Sequence, residues 1–105
     1  FHDRTIPNKT LREHKVALDA ALSGKFHTLF MPGSARGGFG VGGVTWQDWN
    51  YEFLPLKGLP QIVGHTKGLS VRTKVDDSGV TSYCIDTGLR SACWVNGEDV
   101  EVVSL

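Results

Sequence analysis

The sequence predicts an α+β protein in which one helix is followed by a long loop and a small, mostly antiparallel sheet. Three features point to this order: a capped amphipathic stretch near the start, a glycine-rich segment, and short apolar stretches separated by turns in the second half. A length of 105 residues with 40% hydrophobic side chains fits one small domain with a real core.

The helix is predicted to begin after Thr10 and to end at Gly24. Thr10-Leu11-Arg12-Glu13 has the spacing of a capping box, in which the threonine and glutamate side chains each bind the other's backbone amide. Gly24 suits the position just past a helix end. The apolar residues predicted to share one face are Leu11, Leu18, Ala21 and Leu22, and those of the solvated face are Arg12, Glu13, Lys15 and Asp19.

The segment after the helix contains little regular structure. Phe26 to Met31 fits either a strand or an extended approach to the next loop, and its periodicity does not decide between them. Residues 32–43 contain six of the 13 glycines, which excludes regular structure and lets backbone approach a ligand closely. We therefore expect a loop near the working surface, followed by an aromatic-rich stretch at 44–59, across whose end Pro55 and Pro60 prevent a long continuous element.

The second half of the sequence predicts strands. Asp76-Asp77-Ser78-Gly79 is predicted to be a turn, and Asn96-Gly97 indicates a hairpin. The predicted strands are 61–63, 69–75, 80–85, 92–95 and 100–103.

Charge and cysteine content narrow the classes of protein. The 11 basic and 11 acidic residues cancel, so no global field attracts nucleic acid or an anionic membrane. Cys84 and Cys93 are too few for a disulfide scaffold or a zinc cluster, and we expect reduced thiols. Neither a signal peptide nor an apolar stretch of membrane-spanning length occurs in these residues, so we expect a cytoplasmic protein without a membrane partner.

His65 is the candidate metal ligand. The apolar strand Gln61-Ile62-Val63 ends in Gly64-His65-Thr66, which places an imidazole at the carboxyl edge of a strand. Ile85-Asp86-Thr87-Gly88 repeats this design, so Asp86 is expected near His65, where its carboxylate would orient the ring. An exposed or structural histidine, and a simple turn at Asp86, are the alternatives.

These two segments, in this order, resemble the C-terminal motifs of calcineurin-like metallophosphoesterases, in particular the bacterial and phage protein phosphatases and diadenosine tetraphosphatases. The resemblance covers residues 61–105 and extends less strongly upstream through Gly42 to Trp49. It implies the C-terminal half of a four-layer αββα sandwich, in which two sheets pack face to face with helices outside. Trp46 and Trp49 are expected in the core.

The resemblance also implies an activity, the hydrolysis of phosphate esters of proteins or small molecules. Two divalent ions, manganese or iron, would bind phosphate oxygens and activate a bridging water, and His65 would ligate one of them. Arg36, which glycines follow, is the candidate catalytic residue because a guanidinium makes bidentate contacts with phosphate. An exposed loop arginine is the alternative, and Arg90 ranks second for the same role.

The family's motifs Gly-Asp-x-His, Gly-Asp-x-x-Asp-Arg-Gly, Gly-Asn-His-Glu and Ser-His-Ala-Gly do not occur in the sequence. We therefore interpret residues 1–105 as a partial phosphoesterase domain that is inactive by itself, with the N-terminal metal-binding half outside it. The alternative is a noncatalytic nucleic-acid-binding or interaction module, suggested by Arg36-Gly37-Gly38-Phe39. The neutral charge argues against nucleic acid as a partner.

Overall fold

The computed structural model describes residues 10–24, 30–43, 46–97 and 99–105. One helix and five strands lie within these ranges, which confirms the α+β class. Most of the predicted extended segment at 26–31 lies outside the described residues. In chain order, the elements are α1 (Leu11–Ser23), β1 (Ile62–Val63), β2 (Arg72–Val75), β3 (Thr81–Cys84), β4 (Ser91–Asn96) and β5 (Asp99–Ser104).

Helix α1 begins with the predicted capping box. The Thr10 amide donates to Glu13 Oε2 at 2.7 Å, and the Glu13 amide donates to Thr10 Oγ1 at 3.3 Å. The buried face of α1 is not the one predicted. His14 and Ala21 are buried, whereas Leu11 and Leu22, which were predicted to share the apolar face, are exposed. His14 and Ala21 are about two turns apart, so the helix packs through a face rotated away from the two leucines.

The strands form two separate sheets rather than one. In the first, β3 lies between a parallel β1 and an antiparallel β2, in the order β1-β3-β2. In the second, β4 and β5 form an antiparallel hairpin in which Asn96 pairs with Asp99. The hairpin predicted around Asn96-Gly97 is therefore confirmed, and the parallel pair is the departure from a mostly antiparallel arrangement.

The core lies beside β3 and consists of Trp49, Phe53 and Cys84, with Val63 packed against them. The rings of Trp49 and Phe53 are stacked with centroids 4.5 Å apart. Lys74 Nζ donates to the carbonyls of both residues at 2.6 and 2.9 Å, and desolvation by burial lowers the pKa of Lys74. Trp49 thus occupies the core as predicted.

Trp46 was also predicted to lie in the core, but it is 41% exposed. Its ring instead lies edge-on to the ring of His65, outside the core. The glycine-rich segment precedes Trp46 and carries a short 3₁₀ turn at Ser34–Arg36.

In the described part of the chain, no helix is long and apolar enough to cross a membrane.

Candidate functional site

The two turns predicted to carry the site lie side by side. Because β1 and β3 are parallel, their carboxyl ends reach the same edge of the sheet, with Val63 paired to Cys84. The Ile85 amide donates to the Val63 carbonyl at 3.0 Å. Just beyond, the Gly68 amide donates to the Asp86 carbonyl at 2.9 Å. Backbone hydrogen bonds thus join the segments that contain His65 and Asp86.

Arg72 also connects these turns, a role that no feature of the sequence indicated. Its Nη2 donates to the carbonyl of Thr66 and, at 3.2 Å, to the carbonyl of Asp86. The same nitrogen lies 3.2 Å from Cys84 Sγ. The register of β2 against β3 places Arg72 opposite Cys84, and this tertiary pairing leaves no trace in local sequence.

His65 is exposed and has a left-handed backbone, with φ of 68°. This conformation is uncommon for a residue with a side chain and is sterically costly. The imidazole contacts Trp46, with ring centroids 5.8 Å apart and planes at 79°. The His65 carbonyl accepts a hydrogen bond from Arg36 Nη2 at 3.1 Å. The ring is thus accessible while the backbone that carries it is held.

Asp48, Arg36 and Thr66 form a small polar group beside His65, which we call the Asp48 cluster. Arg36 Nη2 lies 3.3 Å from Asp48 Oδ2 and 3.2 Å from Thr66 Oγ1. The Thr66 hydroxyl in turn donates to Asp48 Oδ2 at 3.4 Å and accepts from the Trp49 amide at 2.9 Å. Asp48 Oδ1 accepts the amides of Asn50 and Tyr51. The cluster joins three segments that are distant in sequence.

Hydrogen bonds to a buried carboxylate give the glycine-rich loop a defined conformation. The buried carboxylate of Glu52 accepts the Ala35 amide at 2.9 Å and the Gly42 amide at 2.6 Å, which closes the loop across its base. A Cβ at Gly33 would collide with the Glu52 carboxylate and with the Gly42 amide. Glycine is therefore required there for close approach of backbone to a buried charge. This closure sets the position from which Arg36 reaches the Asp48 cluster.

The structure brings Arg36 and His65 together but gives Arg36 protein partners. Its predicted role as a phosphate clamp stays a prediction. Asp86 Oδ1 accepts the Gly88 amide at 3.2 Å, as expected for a turn, and its role in orienting the His65 ring also stays a prediction. Arg90 is exposed, and its Nε donates to the Thr87 carbonyl at 3.0 Å. Asp48 and Thr66 lie within the segments Gly42 to Trp49 and Gly64-His65-Thr66, but no role was predicted for either residue.

A metal ion fits this surface only in part. His65 presents one accessible imidazole, which is a good ligand for divalent transition metals. Within residues 10–24, 30–43, 46–97 and 99–105, no group of three or more His, Cys, Asp or Glu side chains could hold a metal ion. Among the described residues, His65 is thus a single candidate ligand and not part of a complete centre. A groove of about 470 Å³ lies beside His65 and is lined mainly by apolar residues such as Trp49, Phe53 and Ile62.

Comparisons of this chain with protein-family models, with curated proteins and with solved structures found no match. Function is therefore inferred from the chain's own residues and their geometry.

Proposed function

We propose that this chain takes part in the metal-dependent hydrolysis of phosphate esters and that His65 supplies one ligand of a two-metal centre. The observation that carries the proposal is the position of His65. Its exposed imidazole lies at the edge where two parallel strands end, its backbone is left-handed, and its carbonyl accepts a hydrogen bond from Arg36. Strained backbone of this kind concentrates at functional sites.

The chain's own contribution is to present one imidazole in a fixed place. Trp46 lies edge-on to the ring, and Arg36 fixes the carbonyl of the same residue. When bound, two divalent ions would acidify a shared water and neutralise phosphate oxygens. The remaining ligands must come from outside the described residues, since these hold no group that could complete the centre.

Two further properties of this chain belong to the proposal, namely its fold family and its cellular compartment. We propose that the β1-β3-β2 sheet belongs to one layer of a four-layer αββα sandwich of the metallophosphoesterase type. The described cysteines, Cys84 and Cys93, are free thiols, which suits a reducing compartment such as the cytoplasm.

The nucleic-acid-binding alternative receives little support from Arg36. The arginine that begins Arg36-Gly37-Gly38 lies against Asp48, with side-chain exposures of 22% and 12% for the pair. A guanidinium committed to a carboxylate is poorly placed to bind a phosphate backbone. Only Phe39, which is 92% exposed, remains of the arginine and aromatic pattern as a free surface group.

The test uses the protein that contains this sequence together with its natural flanking regions. His65→Ala should lower manganese-dependent hydrolysis of a generic aryl phosphate by about a hundredfold or more, because it removes a metal ligand. Leu89→Ala is the matched control, since Leu89 also has a left-handed backbone, with φ of 65°, at an exposed turn position. The control should keep its activity.

Full activity in His65→Ala would contradict the proposal. Natural flanking regions without Asp, Asn and His residues able to complete the centre would contradict it as well.

A further inference from the structure

We propose that Asp48 and Arg36 are positioning residues that hold His65 in its left-handed conformation. The importance of this role for metal binding rests on the proposed function, whereas the role itself rests on geometry alone. Neither residue needs to contact substrate or metal to act in this way. Their effect passes through Thr66 and through the carbonyl of His65.

The first step is the hydroxyl of Thr66, which is fully used. A threonine hydroxyl has one hydrogen to donate and two lone pairs to accept with. Thr66 Oγ1 donates to Asp48 Oδ2 and accepts from Arg36 Nη2 and from the Trp49 amide. Because Thr66 is only 7% exposed, these three hydrogen bonds fix the residue that directly follows His65.

The second step is the peptide between His65 and Thr66. Arg36 Nη2 donates to the carbonyl of His65, and Arg72 Nη2 donates to the carbonyl of Thr66. The backbone after His65 is therefore held at two successive carbonyls and at one side chain. A left-handed residue other than glycine persists when its surroundings determine it to this degree.

The third step concerns the opposite charges of Arg36 and Asp48. Arg36 and Asp48 are both mostly buried, with side-chain exposures of 22% and 12%, and Asp48 supplies the counter-charge of the Arg36 guanidinium. Neutralising Asp48 leaves the Arg36 guanidinium without its counter-charge, and the guanidinium then gains by turning toward water. Such a movement would release the His65 carbonyl and one partner of Thr66 together.

The experiment is NMR of the isotopically labelled 105-residue chain, with Asp48→Asn as the principal variant. The backbone ¹³C shifts and the amide to α-proton coupling of His65 report a left-handed φ. We expect this pattern in the unsubstituted chain and its loss in Asp48→Asn. The Trp49 amide, bonded to Thr66 Oγ1, should exchange at least about tenfold faster with solvent in the variant.

Slow exchange of the Tyr83 and Ile85 amides, which bond to the carbonyls of Gln61 and Val63, shows that the β1–β3 pair is intact in each variant. Asp86→Asn is the matched control, because Asp86 is a carboxylate in the neighbouring turn with a hydrogen bond to Gly88. It should leave His65 unchanged. If Asp48→Asn does not fold, Arg36→Lys provides the same test, since it keeps the charge and removes Nη2, the one nitrogen that reaches Asp48, Thr66 and the His65 carbonyl.

A left-handed His65 in both Asp48→Asn and Arg36→Lys, with the β1–β3 amides protected, would overturn the proposal. In the protein with its natural flanks, Asp48→Asn should also weaken manganese binding by about tenfold or more. Unchanged manganese affinity there, with the NMR result as expected, would count against the proposed function of His65 and leave the positioning role standing.

Discussion

The turn that contains His65 and the turn that contains Asp86 are built alike but held differently. Each follows a strand of the parallel pair, and each has one left-handed residue other than glycine, namely His65 and Leu89. Each also has a buried threonine, Thr66 at 7% and Thr87 at 2% exposure. Thr66 makes three side-chain hydrogen bonds, whereas the buried hydroxyl of Thr87 has no partner in the described chain.

This difference separates a turn whose threonine hydroxyl is bound by residues from distant segments from a turn whose threonine hydroxyl has no such partner in the described chain. Leu89 is 91% exposed and lies in a short turn in which Asp86 Oδ1 accepts the Gly88 amide and Arg90 Nε donates to the Thr87 carbonyl. The His65 carbonyl is bound by Arg36, and the neighbouring Thr66 is bound by Arg36 and Asp48, two residues from distant segments. Several buried polar groups surround the backbone of one exposed histidine, and this favours a functional role for the turn that contains His65.

The largest contrast should come from replacing each threonine by valine, which has nearly the same shape. Thr66→Val should lower the free energy of unfolding by about 2 kcal/mol, because it removes the acceptor of the buried Trp49 amide and one of the hydrogen bonds to Asp48. Thr87→Val should be neutral or stabilising, since it removes a buried hydroxyl that has no hydrogen bond within the described residues. Urea denaturation of both variants measures the difference, and equal losses would contradict the comparison.

A smaller effect is expected from relieving the left-handed backbone. His65→Gly should be more stable than His65→Ala by about 1 kcal/mol, because glycine adopts a positive φ without steric cost. Leu89→Gly and Leu89→Ala should differ in the same direction by a similar amount. Thermal unfolding of the four variants makes the comparison, and His65→Ala as stable as His65→Gly would show that position 65 is not strained.

The smallest effect concerns Asp76, in the turn between β2 and β3. Burial raises the pKa of Asp76, but hydrogen bonds from Ser78, Gly58 and Val80 outweigh this and lower the pKa from 3.8 to about 2. A carboxyl group with a lowered folded pKa stabilises the protein above its unfolded pKa, and the stabilisation is lost as pH falls through the folded pKa.

We therefore expect stability to fall between about pH 4 and pH 2, and Asp76→Asn to flatten this part of the profile. Urea midpoints measured across that range are the test. Asp86→Asn, a change in the turn at the other end of the sheet, provides the control. An unaltered acid slope in Asp76→Asn would exclude Asp76 as its source.

Local signals in the sequence predicted the local structure well. The capping box at Thr10, the turn at Asp76 and the hairpin at Asn96 were predictable because neighbouring residues determine them. The buried face of α1 was not, since it depends on which surface the helix meets. Trp46 was expected in the core for its size alone, and its exposure reflects its place beside His65.

The candidate site shows the same limit. The repeated strand-end pattern predicted that Asp86 lies near His65, and the parallel pairing that brings the two segments to one edge was not predicted. The partners that fix His65 come from residues 36, 48 and 72, and no local pattern relates those positions. Contacts of this kind arise from tertiary packing, and only the structure brings them into view.

The central claim is that His65 ligates a divalent metal, and the most direct measurement is anomalous X-ray scattering at the manganese edge. Crystals of the protein with its natural flanks, grown with manganese, should show an anomalous peak at bonding distance from a ring nitrogen of His65. The same experiment on His65→Ala should lose that peak or reduce its occupancy. Occupied manganese sites elsewhere, with none at His65, would contradict the account.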